Sequence, residues 1–213
     1  MTTLTARLQE MQHAYTAGMR RWASRLVVRI VKLPISPNGL TVTGMLLACT
    51  AGVLFAVGWF LLGTAVFLAA SLCDLFDGSL ARAKDMQSEF GEFLDSSLDR
   101  VGEAAALAGV AVHFARTGNE VGTAAAFVAV VAAFLVSYTR AKAESMGIDC
   151  HVGLMQRPER TVLLIGGLLF GWLEPVLFVV VLVLAGLTVW TVGQRVIHVG
   201  RQLERRRKES PTA

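Results

Sequence analysis

Hydrophobic positions in this chain come in long unbroken runs, not in the alternation of half-buried strands or the narrow stripe of a surface helix. Leu40 to Cys73 holds 34 residues without one charge. As a single helix rising 1.5 Å per residue it would be ~51 Å long, against a hydrocarbon core of ~30 Å. The run therefore predicts a hairpin of two spans that turns between Gly58-Trp59 and Gly63. A third span is expected from about Gly91 to His113, and a fourth in the uncharged run Val121 to Thr139. The fifth, Thr161 to Leu173, is short and opens at Pro158, a favourable first-turn position. The sixth runs from Pro175 to about Gln194. Ahead of them, Leu26, Val27, Ile30 and Val31 interleave with Arg25, Arg29 and Lys32, the pattern of a helix lying in the membrane interface. The expected fold is all-α: a polytopic membrane protein of six transmembrane helices preceded by an N-terminal amphipathic interfacial helix. It divides into a juxtamembrane segment 1–35, a six-helix domain 36–200 and a basic tail 201–213, expected as a frayed helix end and a short disordered stretch.

Composition agrees. Of 213 residues 54% are hydrophobic and 17% charged, where a soluble domain would carry ~25% charged. Arginine and lysine placement sets the orientation. Arg7, Arg20, Arg21, Arg25, Arg29 and Lys32 precede the first span, and Arg201, Arg205, Arg206, Arg207 and Lys208 follow the last. Arg82, Lys84 and Arg100 flank the second connection, and Arg140, Lys142, Arg157 and Arg160 the fourth; only Arg116 falls on the other side. Both termini are expected in the cytoplasm of a multi-pass plasma-membrane protein. The first 35 residues lack the apolar core and cleavage site of a secretory signal. Cys49, Cys73, Cys150 and the four histidines share no metal-ligand or redox spacing, and no internal repeat or second domain is visible. A nucleic-acid partner is not expected.

Chemistry concentrates in one stretch, Asp74-x2-Asp77-Gly78-x2-Ala81-Arg82-x8-Gly91-x3-Asp95-x3-Asp99. At about 100° per residue, Asp74, Asp77, Gly78 and Ala81 share a helix face with Arg82 at its edge, and Gly91, Asp95 and Asp99 share a face of the next. Small residues at Gly78, Ala81 and Gly91 allow the two backbones to approach. Four carboxylates at a membrane edge must be protonated or hold metal, and two arginines, Arg82 and Arg100, cannot neutralise them. All-oxygen ligation suits Mg²⁺, Mn²⁺ or Ca²⁺ rather than zinc, and two helices of carboxylates can hold a metal pair for phosphoryl transfer.

The same spacing closely resembles the signature of the CDP-alcohol phosphotransferase family, with all eight fixed positions filled. The resemblance implies a CDP-linked lipid as donor, an alcohol as acceptor and CMP as leaving group, with two Mg²⁺ (or Mn²⁺) per site. It implies Asp74, Asp77 and Asp95 as principal metal ligands and Asp99 as ligand and general base. Gly78 would let the nucleotide approach the backbone, while Arg82 and Ser88 would contact the CDP-lipid. A second segment, Pro37-Asn38-Gly39-Leu40-Thr41-x2-Gly44, reads on its own as a helix start with Thr41 as N-cap. The family places a similar segment, here Asn38, Gly39, Leu40 and Thr41, against the cytidine. A homodimer in the lipid bilayer is also implied.

For the acceptor, Arg140, Lys142, Arg157, Arg160 and Arg195 sit near the same membrane edge, a cation set suited to a phosphate. Positive-inside topology explains some of these charges but not Arg157-Pro158-Glu159-Arg160 at a helix start. This portion resembles the phosphatidylinositol-phosphate synthases of actinobacteria and their archaeal relatives, which join CDP-diacylglycerol or CDP-archaeol to inositol 1-phosphate. Their Lys-x-Arg-x-Glu element is here Arg140-x-Lys142-x-Glu144, with the two bases exchanged. Two further readings stand beside this one: the same chemistry on glycerol 3-phosphate, and a cation channel or transporter using the aspartates as an ion path. For the latter, broken or charged midplane segments in related halves would be expected, and the fourth span has none.

Overall fold

The computed structural model describes residues 36–209. The expected amphipathic helix within residues 1–35 and the last residues of the tail lie outside the described residues. The described residues form six α-helices and no strand: α1 Pro37–Ala56, α2 Phe60–Ala83, α3 Glu89–Arg116, α4 Glu120–Ser145, α5 Arg157–Leu169 and α6 Glu174–Glu209. Four of them, α1, α2, α4 and α6, are long and apolar enough to cross a membrane. The third and fifth expected spans are helices of a different character. Helix α3 carries Glu89, Glu92, Asp95, Asp99, Arg100 and Glu103 in its N-terminal turns, between Glu89 and Glu103. Helix α5 has 13 residues, about 20 Å at 1.5 Å per residue.

Local chemistry sets the helix ends. Ser36 caps α1, accepting the Gly39 N–H at 3.1 Å with Pro37 behind it. Thr41 is therefore not the cap; it lies in the second turn, and its hydroxyl is directed to Asp77 and the Pro37 carbonyl. Helix α4 starts on Asn119, whose side chain accepts the Gly122 N–H at 2.8 Å. It closes with Gly147 at φ 68°, where Ile148 N–H reaches the Ala143 carbonyl.

The helices fall into two compact units. One comprises the described residues through Leu47 together with Leu68–Gly102; the other comprises Ala48–Phe67 and the described residues from Glu103 onward. In the first unit, Gly44 lets α1 lie against α2, since a β-carbon there would sit 3.1 Å from Cβ of Cys73. In the second unit α4 and α5 both pack on α6, and Phe55 stacks on Phe60 with centroids 6.0 Å apart. There α1 and α3 meet backbone to backbone: a β-carbon on Gly52 would strike the Ala105 carbonyl, and one on Gly109 would strike Gly52.

Helix α6 has 36 residues, about 54 Å, well beyond a ~30 Å hydrocarbon core. It stays helical through the basic segment that was expected to fray. The cause is an anchor: Arg206 donates to the carbonyls of Met146 and Gly147 at the end of α4.

The α1–α3 contact leaves no atom free to yield, because the obstacle is backbone. Gly109→Ala should cost about 1–3 kcal/mol, read as a lower midpoint of thermal unfolding in detergent. Gly186→Ala on α6, where nothing lies within 4 Å, should be neutral or slightly stabilising.

Candidate active site

The aspartate signature lies entirely in the first unit, on the C-terminal half of α2 and the opening turns of α3. Asp74, Asp95 and Asp99 each place one carboxylate oxygen within 4.8 Å of the other two. Carboxylates this close repel unless a proton or a cation intervenes. Oxygen donors alone, from three acidic side chains, match a hard divalent ion such as Mg²⁺ or Mn²⁺. The residues present therefore fit the metal that the sequence implied.

Asp77 stands beside this triad, not within it. It is 4% exposed; its Oδ2 accepts the Thr41 hydroxyl at 2.8 Å and its Oδ1 the Gly78 N–H. It still lies close enough to Asp95 and Asp74 to feel their charges. Thr41 and the Gly78 N–H together hold this carboxylate, one on each oxygen.

A cavity of about 460 Å³ opens beside these groups, lined by Asn38, Thr41, Asp77, Gly78, Arg82, Ser88, Gly91 and Asp95 among others. Of the nucleotide segment, Asn38 and Thr41 face this cavity; Gly39 and Leu40 do not line it, because they fall on other faces of α1. Gly91 brings α3 close to Asn38, whose Oδ1 would be 3.2 Å from an added β-carbon. Ser88 lines the cavity and also caps α3, accepting the Gly91 N–H at 3.0 Å. Arg82 is held by a hydrogen bond to Ser79 Oγ at 3.1 Å.

The basic residues expected at the acceptor belong to the second unit and differ sharply among themselves. Arg140 pairs with Glu144 at 2.8 Å on the exposed end of α4, and Lys142 is exposed. Arg157 is half-buried at the start of α5. Arg160 and Arg195 are each 2% exposed. Arg160 is clamped by Glu103, Nε to Oε1 at 2.6 Å and Nη2 to Oε2 at 2.8 Å, with Nη1 on the Met155 carbonyl at 3.2 Å. Arg195 donates only to carbonyls, those of Val152 and Val136. It has no carboxylate at ion-pair distance among the described residues, and it is near enough to Arg140, Arg160 and Glu144 to feel their charges.

Sequence reasoning missed how the connection between α4 and α5 is shaped. One edge of α6 holds it: Thr191 accepts the Met155 N–H, Gln194 the Leu154 N–H, Arg195 donates to Val152, and His198 bonds the Asp149 carbonyl. The signal was there as polar residues at three- and four-residue spacing in an apolar helix. Glu103 was also missed; it is the last acidic residue of α3, after which no Asp, Glu, Lys or Arg occurs until Arg116.

The family model for CDP-alcohol phosphatidyltransferases matches residues 34–192. The chain belongs to the CDP-alcohol phosphatidyltransferase family, and it is a transferase. It is 33% identical to the archaetidylinositol phosphate synthase of Methanothermobacter thermautotrophicus over 198 residues, 92% of this chain and 97% of that protein. Among solved structures it resembles the phosphatidylinositol phosphate synthase of Mycobacterium tuberculosis with CDP-DAG bound, at a TM-score of 0.77 and 26% identity over 84% of this chain and 94% of that one. The same mycobacterial synthase in complex with manganese and citrate gives a TM-score of 0.75 at 26% identity, over 83% and 88% of the two chains. This transferase is an integral membrane protein, and membership of the family removes the channel reading.

Thr41→Val should weaken Mn²⁺ binding to the detergent-solubilised enzyme by about ten- to hundredfold, the worth of one hydrogen bond to a charged group. Thr41→Ser should restore it, and Asp95→Asn should weaken binding further; isothermal titration calorimetry reads all three.

Proposed function

We propose that this transferase moves the phosphatidyl group of CDP-diacylglycerol to inositol 1-phosphate, forming phosphatidylinositol phosphate and releasing CMP. The observation that carries the acceptor is Arg195, a buried guanidinium oriented by two carbonyls and matched by no carboxylate among the described residues. Burying a cation without an anion costs several kcal/mol. An acceptor that brings its own phosphate supplies the missing charge, and a neutral alcohol does not. Arg140, Lys142, Arg157 and Arg160 complete the acceptor's cationic surroundings in this reading. The names of the relatives agree, since both the archaeal and the mycobacterial proteins are inositol phosphate lipid synthases.

The donor occupies the cavity between Asn38, Thr41, Gly78, Arg82 and Ser88, with Gly39 and Leu40 supporting the segment behind them. Arg82 takes a phosphate of the CDP-lipid. Asp74, Asp77, Asp95 and Asp99 would hold two Mg²⁺ or Mn²⁺, and the mycobacterial relative has been solved in complex with manganese and citrate. The ions supply charge neutralisation for the pyrophosphate. Asp99 receives the proton of the acceptor hydroxyl as its oxygen bonds to the β-phosphorus, and the bond from that phosphorus to the CMP oxygen breaks. The enzyme works as a homodimer in the plasma membrane, with α3 and α5 completing a six-span bundle, residues 1–35 as an interfacial amphipathic helix, and the site and both termini cytoplasmic.

An acceptor screen with labelled CDP-diacylglycerol tests this reading. Inositol 1-phosphate should be preferred over free inositol and over glycerol 3-phosphate. Preference for glycerol 3-phosphate would keep the aspartate chemistry and overturn the acceptor; the exchanged bases Arg140 and Lys142 are the feature that favours that second reading. Arg195→Ala should raise the acceptor KM about ten- to hundredfold and leave the donor KM unchanged. Asp99→Asn should lower kcat by ~10²–10⁴ while CDP-diacylglycerol still binds.

A further inference from the structure

The bidentate pair between Glu103 and Arg160 has a consequence beyond the charge count of the acceptor site. Arginine has five N–H donors in one rigid plane. Three are committed here, two to Glu103 at 2.6 and 2.8 Å and one to the Met155 carbonyl at 3.2 Å. Fixing three donors of a planar group fixes the other two, one on each terminal nitrogen. Glu103 is itself mostly buried, 13% exposed. Stability alone is a weak reason for such a pair, because buried ion pairs are often replaced by apolar residues at no loss. The pair also cancels the charge of Arg160, so Arg160 has only direction left to offer an anion, while Arg195 offers uncompensated charge. We propose that Glu103 is a positioning residue for the acceptor: it holds Arg160 so that the two remaining N–H groups meet the phosphate of the incoming alcohol. Glu103 follows Asp99 by four residues along α3.

This inference rests on the anionic-acceptor reading, and its test separates the two. In Glu103→Gln the amide oxygen can still accept one N–H, but its NH₂ faces the other, and the guanidinium must turn. The variant also adds one net positive charge next to an anion's site. If orientation governs, the KM for inositol 1-phosphate rises about tenfold or more despite that charge. The KM for CDP-diacylglycerol stays unchanged, and Glu103→Asp recovers part of the loss. An acceptor KM that falls or holds steady in Glu103→Gln overturns the inference. Should Glu103→Gln fail to fold, the neutral pair Glu103→Gln/Arg160→Gln leaves no unmatched buried charge. Its acceptor KM stays at least tenfold raised if Arg160 is aimed at the phosphate, and returns to the parent value if the pair only supports the fold, which also overturns the inference. If the parent enzyme uses inositol 1-phosphate and these variants keep its KM, the positioning role alone falls; if the parent prefers a neutral alcohol, the acceptor reading falls and takes this role with it.

Discussion

Three carboxylate oxygens within 4.8 Å of one another cannot remain ionised on apolar helices unless a cation lies among them. That repulsion organises everything near it. The cluster draws on two helices, with Asp74 on α2 and Asp95 and Asp99 on α3. Their convergence explains why the flanking positions are small, with Gly44 letting α1 onto α2 and Gly91 bringing α3 toward Asn38. Thr41 belongs to the same logic. By taking Oδ2 of Asp77 at 2.8 Å, it keeps a fourth carboxylate next to the triad and prevents it from turning away.

The second unit poses the opposite problem, buried cations, and solves it in two ways. Arg160 is neutralised by Glu103 and so becomes a fixed direction. Arg195 is pinned by carbonyls, with no carboxylate at ion-pair distance among the described residues. The connection between α4 and α5 is shaped by the polar edge of α6, from Thr191 to His198 and on to Arg206. The helical continuation past residue 200 is therefore part of what holds this connection. Part of that edge, including Arg195, lies beyond the 34–192 region of the family model.

Much of this was legible beforehand. Helices appear close to their expected positions because unbroken apolar runs, Pro37 and Gly58 mark their bounds through backbone chemistry that does not depend on tertiary partners. The aspartate faces were legible for the same reason: helical periodicity alone brings Asp74 to Asp77 and Asp95 to Asp99. What could not be read were contacts across long separations. Thr41 looks like a helix cap until Ser36 is seen to do that work and Asp77, 36 residues later, is seen to take its hydroxyl. Glu103 looks like one more charge on a polar helix until Arg160, 57 residues later, closes on it. Of the six expected spans, four are helices long and apolar enough to cross a membrane, whereas charges along the first turns of α3 and the shortness of α5 set those two apart.

The most direct test of the account is CMP release from CDP-diacylglycerol and inositol 1-phosphate, followed as free divalent cation is removed with a chelator and then restored. The aspartate centre predicts that CMP formation ceases under chelation and returns with Mg²⁺ or Mn²⁺, with Zn²⁺ a poor substitute because the donors are all oxygen. CMP formation that persists at full rate under chelation would contradict it.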